Sequence, residues 1–270
     1  MKPTLIVILA TICVSIVSDA QELYPWFTYD KPADTLIWNK TWEHLEDEKF
    51  SDALKALNKL GKPYREDAAV HWLKALSYQL LNKDDLAFRH IGLAMVYAPE
   101  CYGLLAFRAE LWRRQLNYKN EAADLAAYLI HDPEDAYSAE RYVAALEKIN
   151  QIPLAIAFLE QRRVEDVDIL NDLARLYVAV SRYDSAISIL HRAIELSPTS
   201  EMSYISLAIC YQRTGKADRA LYTADRALAI NPKSGKALAV KSWVYGAIDF
   251  DEESERYYYL AAENGYVWDE

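Results

Sequence analysis

A chain of 270 residues with 52% apolar and 26% charged residues carries enough apolar material for a buried core, which excludes global disorder. Only 7 glycines argue against turn-rich architectures, while the many Ala, Leu, Tyr and Glu residues favour helix. A net charge of −10 with no basic stripe to offset it repels phosphate backbones, so nucleic acid is not an expected partner.

The first twenty positions form a distinct segment. Lys2 supplies positive charge, Leu5 to Val17 form an apolar run of secretory-signal length, and Ser18-Asp19-Ala20 place small residues before a cut at Gln21. The run is shorter than the ~20 residues a transmembrane helix needs, so cleavage is expected, with a retained signal anchor as the alternative. Ile12 before Cys13 disfavours lipoprotein processing. The expectation is an exported chain, periplasmic or secreted, without stable membrane insertion. It keeps the net charge of −10, because the signal holds one Lys and one Asp.

Residues 21–33 have a character of their own. Tyr24, Pro25, Trp26, Phe27 and Pro32 make an aromatic segment that either plugs the first repeat or acts as a tether, and the cost of exposed aromatic clusters favours the plug.

From residue 34 onward the chain repeats. Ala174, Ala186 and Ala193 recur 34 residues later as Ala208, Ala220 and Ala227, and then as Ser242, Ser254 and Ala261. Tyr177, Tyr211 and Tyr245 keep the same step, as do Pro198 and Pro232. Counting back 99 residues finds Ala75, Ala87, Ala94, Tyr78 and Pro99, a distance of two units of 34 and one shortened unit of 31. Seven units result: 34–67, 68–101, 102–135, 136–166, 167–200, 201–234 and 235–265. The third is irregular, with Glu121 in the place of an alanine and Ala122 one position late. The fourth is short and has Arg162 where a small residue belongs, which suggests a local change of pitch. Residues 266–270 form a tail.

These residues resemble the tetratricopeptide repeat family, whose 34-residue unit is a pair of antiparallel helices with small residues at positions 8, 20 and 27. Tyr204, Leu207, Ala208, Tyr211, Gly215, Ala220, Ala227 and Pro232 carry the pattern most completely. The resemblance implies an all-α fold, a right-handed superhelical solenoid of antiparallel helix pairs with one continuous core. The local chemistry agrees. Small residues permit close helix crossing, proline ends each second helix, Gly215 suits a left-handed corner, and Asp135 and Ser200 are good N-caps. Pro153 falls in the first turn of a second helix, where proline is tolerated.

No residue set supports catalysis. GxSxG, GxGxxG, Walker-type and HExxH motifs are all missing. His44, His71, His90, His131 and His191 show no metal-ligand spacing, and His44 beside Glu46, Asp47 and Glu48 reads as a solvated charged turn. No enzyme activity, cofactor or metal is expected. Beyond the signal, Cys101 and Cys210 lie about three units apart, too far for a bridge, so two free thiols are expected.

The resemblance also implies a partner surface. In the family, positions 2, 5, 9, 12 and 13 of each unit line a concave face. Carried over, these give Trp72, Leu76 and Gln79 in the second unit, Tyr137 and Glu140 in the fourth, and Asn171 and Arg175 in the fifth. The sixth contributes Ile205, Ile209, Gln212 and Arg213, and the seventh Trp243. For each tryptophan the alternative is packing against neighbouring helices. Arg113, Arg114 and Arg175 together suggest a basic strip for a carboxylate-bearing peptide. The Lys and Asn clamp by which some members hold a C-terminal carboxylate is absent, since positions 5 and 9 read Trp72/Leu76, Asn171/Arg175 and Ile205/Ile209. The expected function is a non-enzymatic scaffold or adaptor for a protein or peptide partner, with a self-associating structural protein as the alternative.

Overall fold

A computed structural model describes residues 32–162 and 166–268. The signal (1–20) and most of the aromatic segment (21–31) lie outside the described residues. The described residues are all-α, with fourteen α-helices, one short 3-10 turn and no strand. The chain divides into two compact units at Pro133/Glu134.

The first unit holds α1 (Pro32–Glu46), α2 (Phe50–Leu57), the 3-10 turn Lys62–Glu66, α3 (Ala68–Leu80), α4 (Asp84–Tyr97), α5 (Gly103–Arg114) and α6 (Tyr118–Leu129). The second holds α7 (Ala136–Lys148), α8 (Ile152–Arg162), α9 (Val167–Ala179), α10 (Tyr183–Leu196), α11 (Glu201–Arg213), α12 (Ala217–Ile230), α13 (Gly235–Ala247) and α14 (Asp251–Glu263). Within each unit every odd-numbered helix packs on the even-numbered helix after it, and successive pairs pack on one another.

One corner conformation joins the two helices of every pair. Glu48, Asn82, Leu116, Asn150, Ser181, Gly215 and Asp249 all have positive φ, between 55° and 71°. In each case the next residue's N–H donates to a carbonyl five residues back, as in Lys83 to Tyr78 (2.8 Å), Asn117 to Trp112 (2.9 Å) and Lys216 to Tyr211 (2.9 Å). This left-handed closure satisfies carbonyls that the helix end leaves without partners. The corners step by 34 residues throughout, except for 31 between Asn150 and Ser181. The shortening therefore falls between those two corners, which span the eleven-residue helix α8. Residues 163–165, where a change of pitch would sit, are outside the described residues.

First helices start on side-chain caps. Asp67, Asp135, Asp166, Ser200 and Ser234 each accept backbone N–H groups from the first turn of α3, α7, α9, α11 and α13. α5 starts without such a cap at Tyr102. The small residues do what their spacing requires. Ala75, Ala87 and Ala94 are fully buried, as are Ala174, Ala186, Ala193, Ala208, Ala220 and Ala227. In the last pair Ser242 and Ser254 each donate to the other's carbonyl across the crossing (2.9 and 3.0 Å), so the hydroxyls stay satisfied at the contact. Cys101 and Cys210 are both free, and burial pushes the Cys210 thiol up to about 11.

Leu116 sits at a left-handed corner with its side chain largely in solvent. A non-glycine residue there carries strain of about 1 kcal/mol, and β-branching adds to it. Leu116→Gly should raise stability by about 1 kcal/mol, and Leu116→Val should lower it. Urea denaturation followed by circular dichroism checks both signs.

Candidate partner-binding face

The first helices carry the residues implied by the family pattern, but burial divides them. In the first unit Leu76 and Gln79 of α3 are buried, and Trp72 is half-buried. Trp72 packs on two core clusters, one containing Leu45, Leu57 and Leu73 and the other Ala75, Ile91 and Leu111. Its ring also faces Trp42 at 6.4 Å. Trp72 therefore joins two layers of core. Leu76 and Gln79 are buried, Leu76 within the first of these clusters, so neither offers a side chain to a partner.

In the second unit the corresponding residues are more open. Tyr137 and Glu140 of α7 are exposed, and the Arg141 guanidinium lies over the Tyr137 ring at 5.5 Å. On α9, Arg175 is exposed, while Asn171 is half-buried and accepts from the Ser203 hydroxyl of α11 (2.8 Å). On α11, Ile205 is buried, Ile209 and Gln212 are half-buried, and Arg213 is exposed. On α13, Trp243 is exposed at 39% and meets the tail residues Tyr266 and Trp268 edge-on, with centroids 6.0 and 5.9 Å apart. Exposed or half-exposed side chains thus recur on four first helices, whereas Ile205 belongs to the core.

The three arginines do not form an uncompensated basic strip. Arg113 bonds Glu110, Arg114 bonds Asp84 and Asn82, and Arg175 bonds both Glu147 and Asp172. Carboxylates thus meet all three guanidiniums, and the electrostatic case for an acidic peptide does not stand on them.

Among the described residues, no group of three or more His, Cys, Asp or Glu side chains is placed to hold a metal ion. No described helix is long and apolar enough to cross a membrane. A shallow depression lined by Tyr142, Leu154, Phe158 and Glu160 brings together no acid–base pair or nucleophile with its base.

The fold brings together one pair of groups that spacing concealed. His71 of α3 and His90 of α4 lie with their Nδ1 atoms 2.9 Å apart, and Tyr97 and Tyr78 stack on the outer sides of the two rings. His71 Nε2 lies 2.9 Å from the Arg65 carbonyl, which can only accept. The proton of His71 therefore sits on Nε2, and its Nδ1 accepts from His90. Burial holds both imidazoles below their ordinary value, and for His90 the charges of His71, Lys74 and Arg89 add to it, down to about 4.

Residues 177–244 match the family model described as the tetratricopeptide repeat. Over that stretch the sequence carries the tetratricopeptide repeat. Among solved structures, the C-terminal part of a TPR repeat-containing protein from Cytophaga hutchinsonii aligns with a TM-score of 0.64 and 14% identity, over 85% of this chain and 99% of that one. A MamA protein aligns at 0.52 and 18% identity, over 62% and 92% of the two chains. MamA from residue 41 to its end, from Desulfovibrio magneticus RS-1, aligns at 0.53 and 13% identity, over 60% and 94%. At these identities the likeness is one of fold. No curated protein matches the chain.

The histidine pair gives the repeat array a pH dependence with a definite sign. Both imidazoles are held neutral in the folded state, so the unfolded chain binds more protons between its ordinary value of 6.5 and the folded value of about 4. Stability is complete above pH 6.5 and falls as pH drops through that window. Because the His90 ring stays partly exposed, the loss should be about 1–2 kcal/mol. Lys74 beside the pair adds to the fall and the Asp67 carboxylate near His71 opposes it. His90→Gln keeps a donor for His71 but does not titrate. Its denaturation midpoint should lose less than the parent's between pH 7 and pH 4.5, and an equal loss would remove the pair as the cause.

Proposed function

We propose that the chain is an exported, non-enzymatic scaffold that holds a protein or peptide partner on the first-helix face of its tetratricopeptide repeats, within a cell-envelope or secretion assembly. The observation that carries this reading is the row of open side chains on successive first helices of the second unit. Tyr137, Arg175, Arg213 and Trp243 are all exposed, on α7, α9, α11 and α13. Aromatic residues and arginine combine buried area with directional contacts and are over-represented among interface anchors. Export is supported by Lys2, the apolar run from Leu5 to Val17, and the small residues before Gln21. The net charge of −10 disfavours nucleic acid as the partner.

A photoreactive residue at Tyr137 or Arg213 should crosslink to one and the same partner in cells. The same residue at Tyr222, which is 68% exposed on the second helix α12, should not. Equal capture at Tyr222 would remove the first-helix face from the reading. Capture only of further copies of the chain would instead establish the self-associating alternative. Export is tested separately, by N-terminal sequencing of the material recovered outside the cytoplasm, where Gln21 should be the first residue.

A further inference from the structure

The last helix pair is already in contact with a peptide segment, namely its own tail. After α14 the chain turns at Gly265 (φ +83°), and the Tyr266 N–H donates to the Ala261 carbonyl at 2.9 Å. The tail then runs back over α13. An added Cβ at Gly235 would lie 2.9 Å from the Asn264 carbonyl and 3.1 Å from Tyr266, so the backbones meet at a point only glycine allows. Tyr266 and Trp268 both turn inward, and Val267 between them is 81% exposed. Trp243 receives both rings edge-on, and Trp268 also stacks on Tyr258 with centroids 4.4 Å apart. Leu238 and Ala239 form the apolar floor.

Two features separate this contact from ordinary core packing. Ala239 and Trp243 occupy unit positions 5 and 9, two of the positions that face partners in the family. In addition, the Trp268 indole Nε1 is buried without an acceptor among the described residues, so the tail leaves a polar group unsatisfied in its seat.

We propose that the tail is a displaceable self-ligand, and that the seat formed by Gly235, Leu238, Ala239, Trp243 and Tyr258 takes an extended Tyr-x-Trp segment of a protein partner. This deepens the partner-binding reading and rests on it. Alternating side chains of an extended segment place its two aromatics on one side, and the middle residue is free to vary. The covalent link gives the tail a local concentration in the millimolar range, so a partner competes only when the tail is loosened or when it binds more tightly than the tail does.

The test uses the full exported chain and a fluorescein-labelled peptide of residues 264–270, Asn-Gly-Tyr-Val-Trp-Asp-Glu, read by anisotropy. Trp268→Ala empties the indole seat and should bind the peptide at least tenfold more tightly than the parent. The double variant Trp243→Ala/Trp268→Ala should lose that gain, as should a peptide whose tryptophan is replaced by alanine. A second variant inserts about ten Gly and Ser residues after Gly265, which keeps every tail residue and lowers its local concentration; it should also bind the peptide more tightly than the parent. Circular dichroism establishes that each variant keeps its helices. If neither folded variant binds the peptide better than the parent, the tail is a fixed cap and the proposal is overturned. Crosslinking at Tyr137 and Arg213 does not involve the tail, so failure here and failure of the scaffold reading are distinguishable.

Discussion

The structure depends on how closely two helices can cross. At unit positions 8, 20 and 27 the chain places side chains no larger than a methyl or hydroxymethyl group in its regular pairs, and the alanines there are fully buried. Adding even one methylene at such a contact forces the helices apart or a side chain off its rotamer, at a cost of about 1–3 kcal/mol. The left-handed corners complement this closeness, because each one reverses the chain within a few residues and satisfies carbonyls at the helix end. Ser242 and Ser254 show the chemical condition on the exception. A buried hydroxyl is tolerated at the crossing because each one finds the other's carbonyl.

This constraint makes most of the fold legible in the sequence. Small residues recurring at one step reveal the pairs, and the register then locates the corners even where Leu116, Ser181 or Asp249 stands in place of glycine. Asp135 and Ser200 are readable as caps. Asp67, Asp166 and Ser234 lie at the equivalent unit ends, within reach of the same reasoning. The partner face is less legible, because a position rule treats every first helix as equally open. Leu76, Gln79 and Ile205 obey the rule and are nevertheless buried, since exposure at those positions depends on what the adjacent pair places against them. That is a property of packing between units of the repeat, and no single unit encodes it.

Charge shows the same limit from another direction. Arg113, Arg114 and Arg175 look like a basic strip when each is read at its position within a unit. Arg113 is matched within its own helix by Glu110, but the other two reach further back: Glu147 lies 28 residues before Arg175, and Asp84 lies 30 before Arg114. A step near 34 places neighbouring first helices side by side, so Glu147 of α7 neutralises Arg175 of α9, while Arg114 of α5 reaches Asp84 at the start of the second helix α4. His71 and His90 escape a reading by spacing for a related reason. They sit in the two helices of one pair, on faces that meet only once the corner at Asn82 has closed.

Among the described residues no helix follows α14, and the apolar surface of the α13/α14 pair needs another cover. The tail solves this with only a small margin. Tyr266 and Trp268, each half-buried, together remove about 300 Å² from water, worth about 7 kcal/mol. Ordering five otherwise free residues costs about 5–8 kcal/mol, and the indole N–H without an acceptor adds about 1–3 kcal/mol. Gain and cost agree to within a few kcal/mol, so the seat is held closed by tethering more than by affinity. Among the described residues the indole finds no acceptor, and Val267 stays in solvent. The same surface that needs covering therefore remains available to any segment that presents two aromatics at the same spacing and meets the indole with an acceptor of its own.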